Sequence, residues 1–165
     1  MLRTSLLVAA FAACLAPPIL ADGIEVRDAY AITSRPGAPT GAAFMVILNR
    51  GGPPDRLIGV RSEIAARTEL HSHVEADGMM QMNELTEGLP IPTDGEIVMA
   101  RGGDHVMFLG LTEPMADGQM IAVTLVFEIA GEVTVPVPVA LDRLGEMARP
   151  EASDSVGPAD HSPGD

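Results

Sequence analysis

Residues 119–139, QMIAVTLVFEIAGEVTVPVPV, decide the fold class. Read as an extended chain, Ile121, Val123, Leu125 and Phe127 point to one side, Ala130-Gly131 interrupts the run, and Val133, Val135, Val137 and Val139 again share a side. A period of two belongs to a strand with one buried face, whereas a helix would scatter these positions around its circumference. Pro136 and Pro138 occupy the other side of the second strand. Proline has no N–H to give to a ladder, so that strand is expected at a sheet edge or paired on one side only.

The same texture reaches back to Ile24. Short apolar runs are separated by Asn49-Arg50-Gly51-Gly52-Pro53-Pro54, Asp77-Gly78, Thr93-Asp94-Gly95 and Arg101-Gly102-Gly103, all turn formers. Strands are expected near 24–32, 41–49, 56–62, 66–73, 79–85, 95–99, 104–110, 119–129 and 132–139. Hardly any stretch has helical periodicity, so the chain reads as an all-β sandwich in a single domain. In 41–49, Phe44, Val46 and Leu48 share one face and Ala43, Met45 and Ile47 the other. Both faces are apolar, which places this strand centrally.

The flanks differ from this body. Residues 1–21, MLRTSLLVAAFAACLAPPILA, have one Arg, an apolar run from Leu6 to Leu15 and then a Pro pair and small residues. This is the pattern of a secretory signal peptide, with cleavage expected after Ala21 and export to the periplasm. The run is shorter than the roughly 18 to 20 residues that span a bilayer, so no membrane anchor is expected. A rival reading takes Phe11-Ala12-Ala13-Cys14 as a lipoprotein box with Cys14 lipidated, although Phe is a poor first residue for such a box. Cleavage after Ala21 removes the only cysteine. A mature chain without a thiol excludes a disulfide framework, a thiolate metal site and a blue-copper centre. The domain is expected over 22–142, and 143–165, rich in Pro, Glu, Asp, Ser and Gly, as a disordered acidic tail. The formal charge of −13 repels nucleic acid and anionic lipid, and the absence of Trp with a single Tyr argues against a base- or sugar-stacking platform.

Three of the four histidines stand two residues from another soft or nitrogen ligand: His71-Ser72-His73 and His105-Val106-Met107. Between them lies Met79-Met80-Gln81-Met82. Residues two apart on a strand point to the same face, so each triplet presents two ligands side by side. Two hairpin registers are open. With Asp77-Gly78 as a two-residue turn, Ala76 pairs with Met79, His73 faces Met82 and His71 lies diagonal to it. With a loop from Glu75 to Gly78, His71 faces Met82 and His73 faces Met80. Either places the His pair beside Met80 and Met82. Thioether sulfur is soft and neutral and favours Cu(I) over Zn(II), Mg(II) or Ca(II); imidazole suits both copper states. In an oxidising compartment a Cys pair tends to close into a disulfide, while Met stays a ligand and needs no deprotonation. Two His and two Met leave the +1 charge of the ion uncompensated, which moderates affinity. Met45 and Met99 are expected in the core; Met115, Met120, Met147 and His161 fit no ligand pattern.

These residues resemble the PCuAC family of periplasmic copper chaperones. The family motif is a His, ten residues, a Met, about 21 residues and His-x-Met; here ten residues separate His71 from Met82, and 22 separate Met82 from His105-Val106-Met107. The resemblance covers 24–139 and includes Asp28-Ala29-Tyr30-Ala31, Gly41-Ala42-Ala43, Met45 to Asn49, Glu69-Leu70-His71, Gly88 to Pro92 and Gly131 to Val139. It implies a cupredoxin-like Greek-key β-sandwich, a monomer and no enzyme, holding one Cu(I) through His71, Met82, His105 and Met107. It further implies delivery to the copper-bearing subunit of cytochrome c oxidase, with a Sco-type copper protein as a second partner. Two departures stand out: the longer second gap, and His73 where the family often has Met. His73 and Met80 are additional candidate ligands, His73 in particular for Cu(II). The competing readings are an envelope copper-sequestering protein with the same site, and an Ig-like adhesion module whose His and Met are core.

Overall fold

The computed structural model of the chain describes residues 19–21, 23–76 and 79–143. The expected leader before Ile19, with Cys14, the Asp77-Gly78 turn, and the tail from Leu144 with Met147 and His161 lie outside the described residues. Within the described residues eleven strands form two sheets: β1 (Ile19–Ala21), β2 (Ile24–Thr33), β3 (Thr40–Asn49), β4 (Asp55–Arg61), β5 (Ala65–Ala76), β6 (Met79–Glu84), β7 (Leu89–Ile91), β8 (Glu96–Met99), β9 (His105–Leu111), β10 (Met120–Phe127) and β11 (Glu132–Pro138). The larger sheet runs β1-β2-β3-β9-β5-β6, with β8 also on β3, and the smaller runs β11-β10-β4-β7. The fold is the expected cupredoxin-like β-sandwich.

Alternation sorts the side chains between the sheets. Val123, Leu125 and Val137 are fully buried, as are Ala43 and Ile47 of β3 and Val106 and Phe108 of β9. Met45 and Met99 are core residues as expected, at 1% and 3% exposure. Met115, which carries no strand pattern, is also buried, against the face of Gly41, where a Cβ would come 2.9 Å from its sulfur. Strand β3 is central, paired to β2, β8 and β9. Strand β11 pairs only with β10, the edge position that its prolines require. Two strands lie beyond the sequence expectation. Ile19–Ala21, at the end of the expected leader, pairs with Ile24 to Val26. Leu89–Ile91 pairs with β4; it is three residues long with a central Pro, too short to show a period.

Asp55 fastens the smaller sheet. Its carboxylate accepts the N–H groups of Arg56, Ile129 and Ala130 at 2.7, 2.9 and 2.9 Å, closing the β10–β11 turn over the start of β4. Burial pushes its pKa up, but the backbone donors of Ala130, Arg56 and Ile129 outweigh burial and hold the carboxyl below its ordinary value. A group depressed in the folded state contributes stability above its unfolded pKa and loses it as pH falls through the folded one. Asp55→Ala is therefore expected to cost about 1–3 kcal/mol at pH 7 in urea unfolding, for donors left unpaired. The gap to wild type should shrink in acid, below about pH 4.

Candidate metal centre

Strands β3, β9, β5 and β6 lie side by side, and their outward faces carry the candidate residues. In the β5–β9 ladder His71 stands opposite His105 and Glu69 opposite Met107. In the β5–β6 ladder His73 stands opposite Met82, His71 opposite Glu84 and Glu75 opposite Met80. This is the two-residue-turn register, with Ala76 opposite Met79; the longer-loop register, with His71 facing Met82, is not formed. Ala42 of β3 faces Met107, a small neighbour beside the thioether. The inward positions between the ligands, Leu70 and Val106, are core. His71, His73, His105, Met82 and Met107 thus share one face of the sheet, opposite to the core.

A facing position would normally leave His105 in water, yet it is only 3% exposed. The cause is an excursion between β8 and β9, which run end to end along one edge of β3. Met99 pairs with Met45 and Val106 with Ala43, so seven steps along one chain match two along the other and five residues loop out. Opposite the excursion, the Phe44 ring lies 6.1 Å from the His105 ring, and the Arg101 guanidinium lies 5.9 Å from Phe44. On the other side His73 stacks on His105, with centroids 5.1 Å apart at 26°, and His71 meets it edge-on at 6.0 Å and 61°. A bulge in β2, with Asp28 at φ 52°, adds one residue between Arg27 and Tyr30 and brings Tyr30 to Phe44, 5.2 Å away.

Hydrogen bonds assign the ring nitrogens. The Gly103 carbonyl accepts from His105 Nδ1 at 3.0 Å and from the His73 backbone N–H at 3.3 Å. A carbonyl only accepts, so Nδ1 carries the proton and Nε2 of His105 keeps its lone pair. The Glu69 carboxylate lies 2.8 Å from His71 Nε2, which leaves the lone pair of His71 on Nδ1. His71 Nδ1 and His73 Nδ1 are both buried without a hydrogen-bond partner. An unpaired buried nitrogen is costly in a core but is what a metal ligand requires. Burial, and after it the rings of His73 and His71, lowers the His105 pKa against the opposing Gly103 carbonyl and Asp104. The imidazole is therefore neutral near pH 7, the form that donates to a metal. Among the described residues no three His, Cys, Asp or Glu side chains gather as a metal cage. On the same face the thioethers of Met82 and Met107 stand as two candidate sulfurs beside the nitrogens of His71 and His105. Met82, on the open edge strand, is 45% exposed, so the set runs from a buried nitrogen to a sulfur in contact with solvent.

The sequence profile of the family described as "LpqE-like: Putative lipoprotein LpqE-like" matches residues 24–139. The chain belongs to this family, the PCuAC family. A relative from Leifsonia xyli subsp. xyli (strain CTCB07), "Putative lipoprotein Lxx21020", is 35% identical over 119 residues, 72% of this PCuAC chain and 70% of its own length. Among solved structures, the copper-bound PCuAC domain from PmoF2 is similar with a TM-score of 0.62 and 26% identity, over 76% of this chain and 98% of that one. The apo form of DR1885 from Deinococcus radiodurans has a TM-score of 0.57 at 26% identity, over 86% of this chain and 94% of that one. Its Cu(I) form has a TM-score of 0.55 at 26% identity, over 76% and 81%.

Two contributors to this PCuAC site carried no role at the level of sequence. Glu69 was reachable by the rule that found the ligands, since it stands two residues before His71. The Gly103 carbonyl was not, because a backbone acceptor leaves no residue-type signal. The assignment of nitrogens has a direct check: long-range 1H–15N spectra of the metal-free protein are expected to show His105 protonated on Nδ1. Protonation on Nε2 instead would contradict the Gly103 contact.

Proposed function

We propose that this PCuAC domain binds one Cu(I) ion on the outer face of its larger sheet through His71, Met82, His105 and Met107, and serves as a copper chaperone. The observation that carries the reading is the pair of imidazoles, His71 and His105, set opposite each other with their lone pairs free of protein donors. Two thioethers on the same face complete a soft set that prefers Cu(I). Copper-bound relatives of the same fold support the choice of metal. His73, stacked on His105 with its Nδ1 unpartnered, is an additional nitrogen for Cu(II). Met80, two residues from Met82 on β6, is a further candidate sulfur.

The function is binding and hand-over, with no reaction catalysed. The acceptor is the dinuclear copper site of cytochrome c oxidase, reached directly or with a Sco-type protein. Support for transfer over sequestration comes from Met82: a half-exposed ligand on an edge strand is the one that an incoming donor displaces first. The ion then passes without the site having to open.

We further infer that the protein is exported. The leader over 1–21 supports this, and among the described residues no helix is long and apolar enough to cross a membrane. Two observations favour retention of Cys14 as a lipid anchor over cleavage after Ala21: the lipoprotein names of the family and of the Leifsonia relative, and the pairing of Ile19–Ala21 with β2, which cleavage after Ala21 would discard.

In titration against a chromophoric Cu(I) chelator, one tight equivalent is expected. Met82→Leu and Met107→Leu should each weaken it about tenfold or more, about 1.4 kcal/mol; unchanged affinity in both would remove the site assignment. Intact mass of protein recovered from cell envelopes separates the two N-termini: a diacylglyceryl-modified Cys14 start, or an unmodified chain beginning at Asp22.

A further inference from the structure

Glu69 lies on β5 two residues before His71, on the same face. Its Oε2 is 2.8 Å from His71 Nε2 and its Oε1 is 3.2 Å from Arg67 Nη1. The Glu69 and His71 side chains are 16% and 13% exposed, so this contact is held largely out of water. Arg67 is 70% exposed, and solvent screens its pull on the carboxylate. Across the ladder Glu69 faces Met107, which puts the carboxylate between two ligands and not at the rim of the site.

We propose that Glu69 is the positioning residue of the copper site, orienting His71 so that its Nδ1 lone pair is free of protein partners, and supplying the negative charge that balances a monovalent ion among neutral ligands. The inference rests on the copper reading above and assigns a role that the ligand set alone does not. The first part follows from donor and acceptor types. A carboxylate oxygen accepts, so the ring proton stays on Nε2, and the ring cannot rotate to bury that nitrogen without breaking the bond. His71 Nδ1 then remains the buried atom with no protein partner. The second part follows from charge. Two imidazoles and two thioethers contribute none, and a cation half removed from water is costly unless a counter-charge lies near. Among the described residues, Glu69 is the carboxylate hydrogen-bonded to a ligand ring. The sequence reading left the charge of the ion uncompensated among its four ligands; on this proposal the counter-charge comes from the layer behind them.

The test compares wild type, Glu69→Ala and Glu69→Gln in two measurements. In the metal-free proteins, the 15N shifts of the His71 ring are expected to report a fixed Nε2–H form in wild type. That form should be lost in Glu69→Ala and kept in Glu69→Gln, whose amide oxygen still accepts. Against a chromophoric chelator, Glu69→Ala should bind Cu(I) about 10- to 100-fold more weakly, the usual effect of removing a partner behind a metal-bound His. Glu69→Gln should recover part of that loss, the remainder being due to charge. Thermal midpoints of all three show whether a variant is folded, and the near-isosteric Gln keeps the test valid if Ala is not. Wild-type His71 shifts or wild-type Cu(I) affinity in Glu69→Ala would overturn the proposal. A wild type that takes up no Cu(I) would overturn the copper reading instead, while the nitrogen shifts still decide whether Glu69 positions the ring.

Discussion

The β5–β9 ladder sets His71 directly against His105, and the rest of the site depends on that pairing. Paired residues on antiparallel strands bring their Cβ atoms to about 5 Å, close enough for two rings to share one small ion. From this pair the neighbours follow with little freedom. Two residues along β9 is Met107, two along β5 in either direction are Glu69 and His73, and the next ladder places Met82 against His73. A slip of one residue in β5 would turn the whole β5 set inward and replace it with Leu70 and its core-facing neighbours. The burial of Leu70, Val106 and Phe108 therefore fixes the candidate metal face as well as the core, because it specifies the register.

Placing polar rings on the outer face of a sheet does not by itself remove them from water. Here the five-residue excursion before β9 does so. It brings the Gly103 carbonyl to His105 Nδ1 and carries Arg101 over Phe44, whose ring lies beside that of His105. Arg101 donates to the Arg143 carbonyl, and Arg143 lies over Tyr30 at 4.3 Å, so the covering layer is itself tied down. The result is graded exposure across a single layer of strands. His105 is buried, His71 nearly so, and Met82 is open at the edge. In the proposed copper role, ordered nitrogens at one end and an accessible sulfur at the other would suit an ion that is held and then released.

The partners behind the ligands divide the work between backbone and side chain. Gly103 directs His105 through a carbonyl, and Glu69 directs His71 through a carboxylate. Opposite nitrogens are freed on the two rings, Nε2 on His105 and Nδ1 on His71. Among the described residues, the candidate ligands all lie on the larger sheet and none on the smaller. The smaller sheet closes the core with the valines of β11 and the apolar face of β10, and Asp55 holds its turn in place.

The all-β class, the inward set of 119–139, the central place of β3 and the edge place of β11 were legible in the sequence alone. So was the fact that His71 with His73, Met80 with Met82, and His105 with Met107 stand two residues apart, the spacing of one strand face. All of these are local properties of extended chain: alternation acts over two residues, and a missing N–H acts at one. Only the tertiary structure decided which of two hairpin registers forms, that His71 meets His105, that Gly103 and Glu69 hydrogen-bond the rings, and that Leu89–Ile91 pairs with β4. Those depend on contacts between segments far apart in the chain, where the deciding energies are the burial of Leu70, Val106 and Phe108 and the closure of ladders that no single strand contains.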